Sequence, residues 1–375
     1  MRVRSSVFLS LALSWMGGAV AAGDDLRINQ IQVIGTHNSY HIAPAPNVLA
    51  VIAKTGKGLA ESLDYTHLPL ADQFSKQGVR QIELDVFADP QGGRYAKPLI
   101  RTILEKTGED PGVDPDRDGA MRRPGAKVLH VQDIDYNSIV PSFAQALKEI
   151  RGWSAANPRH VPILVLVELK TETFPLLPTN PLPFEKADLE ALESAIREVF
   201  PPATLVTPDD LRGASETLPE AIRTHGWPTL ESSRGKVMFA LNNGGGLRDL
   251  YLEGHPALRG RVMFVQAEPG HPAAAWMGID DAVANHDRIV ELVRSGYLVR
   301  TRADADTQES RRNDTTRREA AFSSGAQFLS TDYPDPRLDF SPYSARLPGS
   351  VVARPNPVNA GPRAGERIDE DALPH

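Results

Sequence analysis

The chain has 375 residues, 41% of them hydrophobic and none of them cysteine, with a formal net charge of −7. That length and apolar content suit one large α/β barrel of roughly 250 residues or more. The lack of thiols excludes disulfides, zinc–thiolate sites, cysteine nucleophiles and lipid attachment through an N-terminal Cys, and the acidic balance argues against sequence-independent nucleic-acid binding.

Arg2 and Arg4 precede an apolar run over residues 7–16, and Gly17-Gly18-Ala19-Val20-Ala21-Ala22 follows. Charge, apolar run and small residues in that order read as a secretory signal peptide over residues 1–22. The run is too short to span a bilayer as a stable helix. The expected mature protein is exported, extracellular or periplasmic, and soluble.

From residue 26 to 340, short apolar runs alternate with helix-like stretches. Candidate strands are 31–34, 80–87, 127–131, 162–168, 236–241, 262–265, 298–301 and 327–330. Several are unbroken β-branched and aliphatic runs, as in strands covered on both faces. Candidate helices are 142–153, 184–199, 280–294 and 316–323; the second is built from strong helix formers. Eight strands with helices between them point to a (β/α)8 TIM-type barrel in a single domain, although an open doubly wound sheet has the same periodicity. Residues 88–125, 170–183 and 201–235 read as irregular insertions, with 204–206 an excursion outside the barrel. Residues 341–375 are Pro-rich and read as an extended, partly disordered tail.

Polar residues fall at the ends of the first four candidate strands. Gly35-Thr36-His37-Asn38-Ser39-Tyr40 follows the first. Glu83 and Asp85, two apart on the second, share a face. His130 lies at the end of the third and Glu168 ends the fourth. In a barrel of this kind the carboxyl ends of the strands converge on one mouth, where active sites sit. Taken singly, each residue reads equally well as a paired or hydrogen-bonded buried group. Together, the carboxylates would repel one another and raise each other's pKa values, a conflict that a divalent cation resolves. Oxygen-only ligands favour calcium or magnesium over zinc, and carboxylates with one amide suit calcium better. Two histidines are then free for proton transfer. A cation with two histidines suits phosphodiester cleavage.

His37-Asn38, Glu83-Leu84-Asp85, His130 and the run ending in Glu168, in that chain order, resemble the catalytic half of the calcium-dependent phosphoinositide phospholipases C. The whole chain resembles the secreted bacterial members most closely, from Ile31 to about Pro357, including VRTRADADT from Val299 and STDYP from Ser330. The resemblance implies that Asn38, Glu83, Asp85 and Glu168 hold one catalytic calcium ion. It implies His37 and His130 as the catalytic pair, with His37 as base and His130 as acid, or a metal-bound carboxylate as base. It implies phosphatidylinositol as substrate, cleaved to diacylglycerol and a cyclic inositol phosphate, with transient contact to a membrane surface and no obligate protein partner. The animal enzymes carry lysines at the end of the fifth strand. Here that strand ends Ala240-Leu241-Asn242-Asn243, which favours phosphatidylinositol over its polyphosphorylated forms.

Lys170, Arg302 and Asp332 are candidate substrate contacts near the mouth. A solvated lysine and a structural ion-pair network explain them almost as well. Asp114, Asp116 and Asp118 match the opening of a calcium loop, but its twelfth position is Gly125 in place of Glu. His41 and His67, like the remaining histidines, read as ordinary. Two other readings stand: a glycerophosphodiester phosphodiesterase, against which His37-Asn38 counts because that family opens with His-Arg, and a catalytically silent barrel that binds inositol lipids.

Overall fold

A computed structural model describes residues 25–112, 114, 116, 118–365 and 368; the expected signal peptide lies outside them. Ten strands form one sheet: β1 (Ile31–Thr36), β2 (Gln81–Phe87), β3 (Lys127–Val128), β4 (Ile163–Leu169), β5 (Val237–Leu241), β6 (Met263–Gln266), β7 (Ala274–Asp281), β8 (Leu298–Arg302), β9 (Phe328–Thr331) and β10 (Ala353–Pro355). All except β3 and β10 are parallel and close into an eight-stranded barrel. β9 returns to β1 from Val33–Phe328 to Thr36–Thr331, and β1 meets β2 at Gly35–Gln81. Helices surround the ring. One of them, Phe143–Ala156, starts where the Ser142 hydroxyl accepts from the Gln145 amide at 3.3 Å, satisfying a donor that the first turn leaves free.

Two elements differ from expectation. Residues 127–131 supply only β3, which pairs antiparallel with the end of β2 outside the ring. β2 lies directly beside β4, in register from Gln81–Leu164 to Val86–Leu169. The eighth barrel strand is β7, and the helix expected from 280 begins only at His286. Ala274-Ala275-Trp276-Met277-Gly278 contains no β-branched residue, so little in it signals a strand. Its burial between neighbours fixes it instead, with Trp276 opposite Leu298 and Met277 opposite Val299. The excursion at 204–206 runs beside β5 through a Leu205–Val237 bridge.

Residues 341–365 are not a loose tail. β10 pairs antiparallel with β1 from Ile31–Pro355 to Val33–Ala353, and Ala345, Leu347, Asn356 and Ala360 are buried. Proline is tolerated there because an edge strand need not offer every ladder N–H.

Outward-facing Ile82, Leu84 and Val86 belong to the apolar core, whereas the barrel interior is partly polar. Ser330 Oγ donates to Gln81 Oε1 at 2.5 Å, Arg300 Nε donates to Ser330 Oγ at 2.8 Å, and Arg300 Nη2 donates to Glu83 Oε2 at 2.6 Å. This string runs up to the mouth. Phe87, Tyr95 and Trp276 are buried and form no part of its rim.

Candidate active site

Parallel pairing of β2 with β4 builds the acidic cluster. Glu83 and Asp85 point to one face, and Asp85 stands in register with Glu168. The three carboxylates bring ligand oxygens within 4.8 Å of one another. Burial raises the Glu83 pKa to about 8 in spite of Arg300, and that of Asp85 to about 7 in spite of Lys170. Lys170 Nζ lies 3.3 Å from Asp85 Oδ2 and 3.2 Å from Glu168 Oε1, and Asn242 Nδ2 donates to Glu168 Oε2 at 2.8 Å. Three carboxylates thus face two protein cations, Arg300 and Lys170. Asp85 Oδ1 is buried without a well-formed hydrogen bond, as is the neighbouring Tyr40 hydroxyl. An oxygen-only cluster whose carboxyls burial makes costly to ionise without a nearby cation, with one carboxylate oxygen left unpaired, fits a hard divalent cation.

The β1 loop is tied to this cluster. Ser39 N donates to the Glu83 carbonyl at 3.0 Å, and Glu83 N donates to Ser39 Oγ at 2.8 Å. Asn38, just before, takes a left-handed φ of 43°, a conformation Asn tolerates better than most residues. Its amide donates to the Tyr65 hydroxyl at 3.0 Å, which turns the carbonyl oxygen to the other side.

Each of the two expected histidines has an aspartate behind it. His37 Nδ1 lies 2.9 Å from Asp332 Oδ1. Burial, then Arg302 and Arg300, hold the His37 pKa well below the usual value, so the ring is neutral. His130 Nδ1 lies 2.7 Å from Asp135 Oδ2. His130 comes from a loop, not from a barrel strand as its sequence position suggests. Reciprocal backbone bonds between Val131 and Asp135, at 2.8 and 2.9 Å, turn that loop back so that Asp135 meets the imidazole.

The sequence does not reveal His41, Tyr65, His67 or Asp135. His41 is fully buried, with Nε2 2.9 Å from Asp135 Oδ2. The Tyr65 ring stacks on His41 at 4.2 Å and on His37 at 6.4 Å. His67, also buried, donates from Nε2 to the His37 carbonyl at 2.8 Å. The signal available was the spacing of His41 from His37 and of Asp135 from His130. Only the loop geometry shows that these spacings meet.

The expected substrate contacts face protein charges. Lys170 lies in the carboxylate cluster, and Asp332 lies between His37 and Arg302, whose Nη2 is 3.3 Å from Asp332 Oδ2. In the acidic loop, Asp116 is occupied by the amide of Met121 at 2.6 Å and by Arg122 at 2.8 Å. Asp114, Asp116 and Asp118 form no metal-competent group among the described residues.

A family model described as phosphoinositide phospholipase C, Ca2+-dependent, matches residues 26–357. The chain belongs to the calcium-dependent phosphoinositide phospholipase C family. Two solved structures of a calcium-dependent phosphoinositol-specific phospholipase C from a Gram-negative bacterium, Pseudomonas sp., share its fold at 15% identity. An apo form has a TM-score of 0.50, over 90% of this chain and 97% of that one. A myo-inositol complex has 0.51, over 89% and 96%. A Ca2+-dependent phosphatidylinositol-specific phospholipase C from Streptomyces antibioticus is 19% identical over 82% of this chain and 95% of its own, with a TM-score of 0.47. No curated protein sequence matches the chain. This family is calcium-dependent, and among the described residues Glu83, Asp85 and Glu168 form a candidate acidic group for that ion.

Proposed function

We propose that this family member is a secreted phosphatidylinositol-specific phospholipase C, with Asn38, Glu83, Asp85 and Glu168 holding one calcium ion and His37 and His130 moving the protons. The observation that carries the reading is the pairing of His37 with Asp332 and of His130 with Asp135 beside one buried three-carboxylate cluster. Bound there, calcium supplies positive charge to the phosphoryl oxygens.

The chain's own residues account for the proton path. Asp332 accepts from His37 Nδ1 and leaves Nε2 of the neutral ring to take the proton of the inositol 2-hydroxyl. The hydroxyl oxygen forms a bond to phosphorus as the bond from phosphorus to the glycerol oxygen breaks. His130, oriented through Nδ1 by Asp135, gives its Nε2 proton to that leaving oxygen. Diacylglycerol and a cyclic inositol phosphate result. Lys170, Arg302 and Asp332 then act at the edge of the phosphate site, Asp332 by orienting His37.

Exposed apolar side chains favour contact with a lipid surface. Phe174 and Leu176 stand on the loop directly after β4 and Leu338 on the loop after β9, at the carboxyl end of the barrel. No helix among the described residues is long and apolar enough to cross a membrane, and the pattern of residues 1–22 supports export.

Purified protein incubated with phosphatidylinositol and, separately, with glycerophosphoinositol, in calcium, magnesium or excess chelator, tests the reading. The expected result is diacylglycerol from phosphatidylinositol only with calcium, with His37→Ala and His130→Ala each slower by at least ~100-fold. Full turnover in chelator, or release of glycerol phosphate as the main product, defeats it.

A further inference from the structure

Asp280 is an acidic side chain at the mouth that neither the proton path nor the carboxylate cluster uses. It stands near the end of β7 with its side chain 66% exposed, and its Oδ1 meets Arg300 Nη1. Arg300 is buried and reaches Glu83 with Nη2, so an anchor inside the barrel holds Asp280 at the edge of the site and leaves Oδ2 open to solvent. The pairing of β7 with β8 slips at this point. Gly278 stands opposite Arg300 and Asp281 opposite Arg302, three steps along one strand against two along the other. An extra residue of this kind re-aims the side chains beside it. The charge of Asp280 is felt at His37, Glu83 and Arg302, which places it over the reacting end of the mouth.

The reacting groups come from one half of the ring, with His37 after β1, Glu83 and Asp85 on β2, Glu168 on β4 and Asp332 after β9. The half from β5 to β8 remains for the rest of a headgroup. There Asn242 and Asn243 follow β5, and β6 ends in Gln266. A Cβ on Gly278 would stand 3.4 Å from Asn242 Oδ1 and 3.5 Å from Gln266 Oε1, so these amides line the same wall as Asp280. The cations further out are paired, Arg248 with Asp249 at 2.7 Å, Arg288 with Glu268 at 2.7 Å and Arg317 with Glu309 at 2.9 Å. A neutral ring bearing hydroxyls suits such a wall, since carboxylate and amide oxygens accept hydrogen bonds. A phosphate on the ring carries about −1.5 to −2 charge at neutral pH and would meet a fixed carboxylate with no unpaired cation beside it.

We propose that Asp280 sets headgroup specificity, accepting a hydroxyl of the inositol ring and repelling a phosphate carried at that edge. The inference rests on the reading of the protein as a phospholipase C that cleaves phosphatidylinositol, and it deepens that reading. Missing lysines at the end of β5 only withhold affinity from phosphorylated rings, whereas a carboxylate on the wall rejects them.

The test compares kcat/KM of the full-length protein and of Asp280→Asn on short-chain phosphatidylinositol and on each of its ring monophosphates, dispersed without vesicles and with calcium present. Wild-type protein should prefer the unphosphorylated lipid. Asp280→Asn should shift that preference toward at least one monophosphate by about tenfold or more, while KM for phosphatidylinositol rises a few-fold and kcat changes little. Raising the salt from about 0.05 to about 0.5 M should narrow the wild-type preference, because salt screens exposed charges; this readout needs no substitution. If Asp280 merely braces Arg300, all the substrates slow together, so an unchanged ratio in the variant overturns the proposal. Wild-type protein that cleaves every monophosphate as fast as phosphatidylinositol overturns it too. If wild-type protein with calcium releases no diacylglycerol from phosphatidylinositol, the reading of the function fails, and the proposal with it.

Discussion

Gly35 sits where the barrel closes, and the space around it leaves nothing for a side chain. A Cβ at this position would stand 1.9 Å from Gln81 Oε1, 2.6 Å from its Cδ and 2.7 Å from its Cβ. Gln81 cannot swing aside, because Nε2 donates to the Thr36 carbonyl at 3.1 Å and Oε1 accepts from Ser330. Gly35→Ala should therefore cost about 1–3 kcal/mol, the usual range for overpacking a filled interior. Thermal unfolding should show a midpoint lower by several degrees, and an unchanged midpoint would mean that the seam is looser than these distances require. The acidic residues just beyond this seam were legible in the sequence for a simple reason. Strand periodicity puts Glu83 and Asp85 on one face whatever the loops do, and Glu168 ends a run too apolar to be anything but a strand. His41 and Asp135 were not legible, because their meeting depends on how two loops turn and no local pattern encodes it.

Element by element, the pattern succeeded where a strand is buried on both faces by its own aliphatic residues, as in β4 with Ile163-Leu164-Val165-Leu166-Val167. It failed where burial comes from the neighbours. β7 is held between β6 and β8 although its first five residues are Ala, Ala, Trp, Met and Gly, and the stretch after 127 has β-forming residues but belongs to a loop that only brushes β2. Proline content misled in the same way over β10. Because β2 meets β1 only at Gly35, the edge of β1 before that point is open, and Ala353–Pro355 covers it. Asn356 reinforces this docking with a 2.6 Å bond to the Gly325 carbonyl. Removing the chain from residue 350 onward should bare the Ile31–Val33 edge of β1 and take Val352, Ala353 and Ala360 out of the apolar core. Lost burial of this kind costs roughly 25 cal/mol per Å2 of apolar surface. The truncated protein should unfold at a temperature lower by several degrees and aggregate more readily through the bared strand. A truncated protein that unfolds at the full-length temperature would show that β10 merely rests on the barrel.

At the scale of the whole molecule, the question is how a lipid headgroup reaches a site whose ligands are buried. The carboxylates and both aspartate-backed histidines gather at the carboxyl end of the barrel, so the loops on that face must meet the bilayer surface if the substrate is phosphatidylinositol. Leu176 and Leu338 are each 79% exposed and Phe174 41%, which costs nothing in function if they face water but is useful if they enter the interfacial region. No polybasic segment is needed for this mode of contact, since burying one such side chain fully contributes about 1.5–3 kcal/mol. Phe174→Ser with Leu176→Ser should then reduce the fraction of protein bound to phosphatidylinositol-containing vesicles about tenfold or more in a sedimentation assay. Turnover of a dispersed short-chain phosphatidylinositol should be unchanged, because neither residue touches the carboxylates or the histidines. Equal loss on vesicles and on dispersed substrate would place these residues in the site itself, and undiminished vesicle binding would mean that the protein meets lipid through another face.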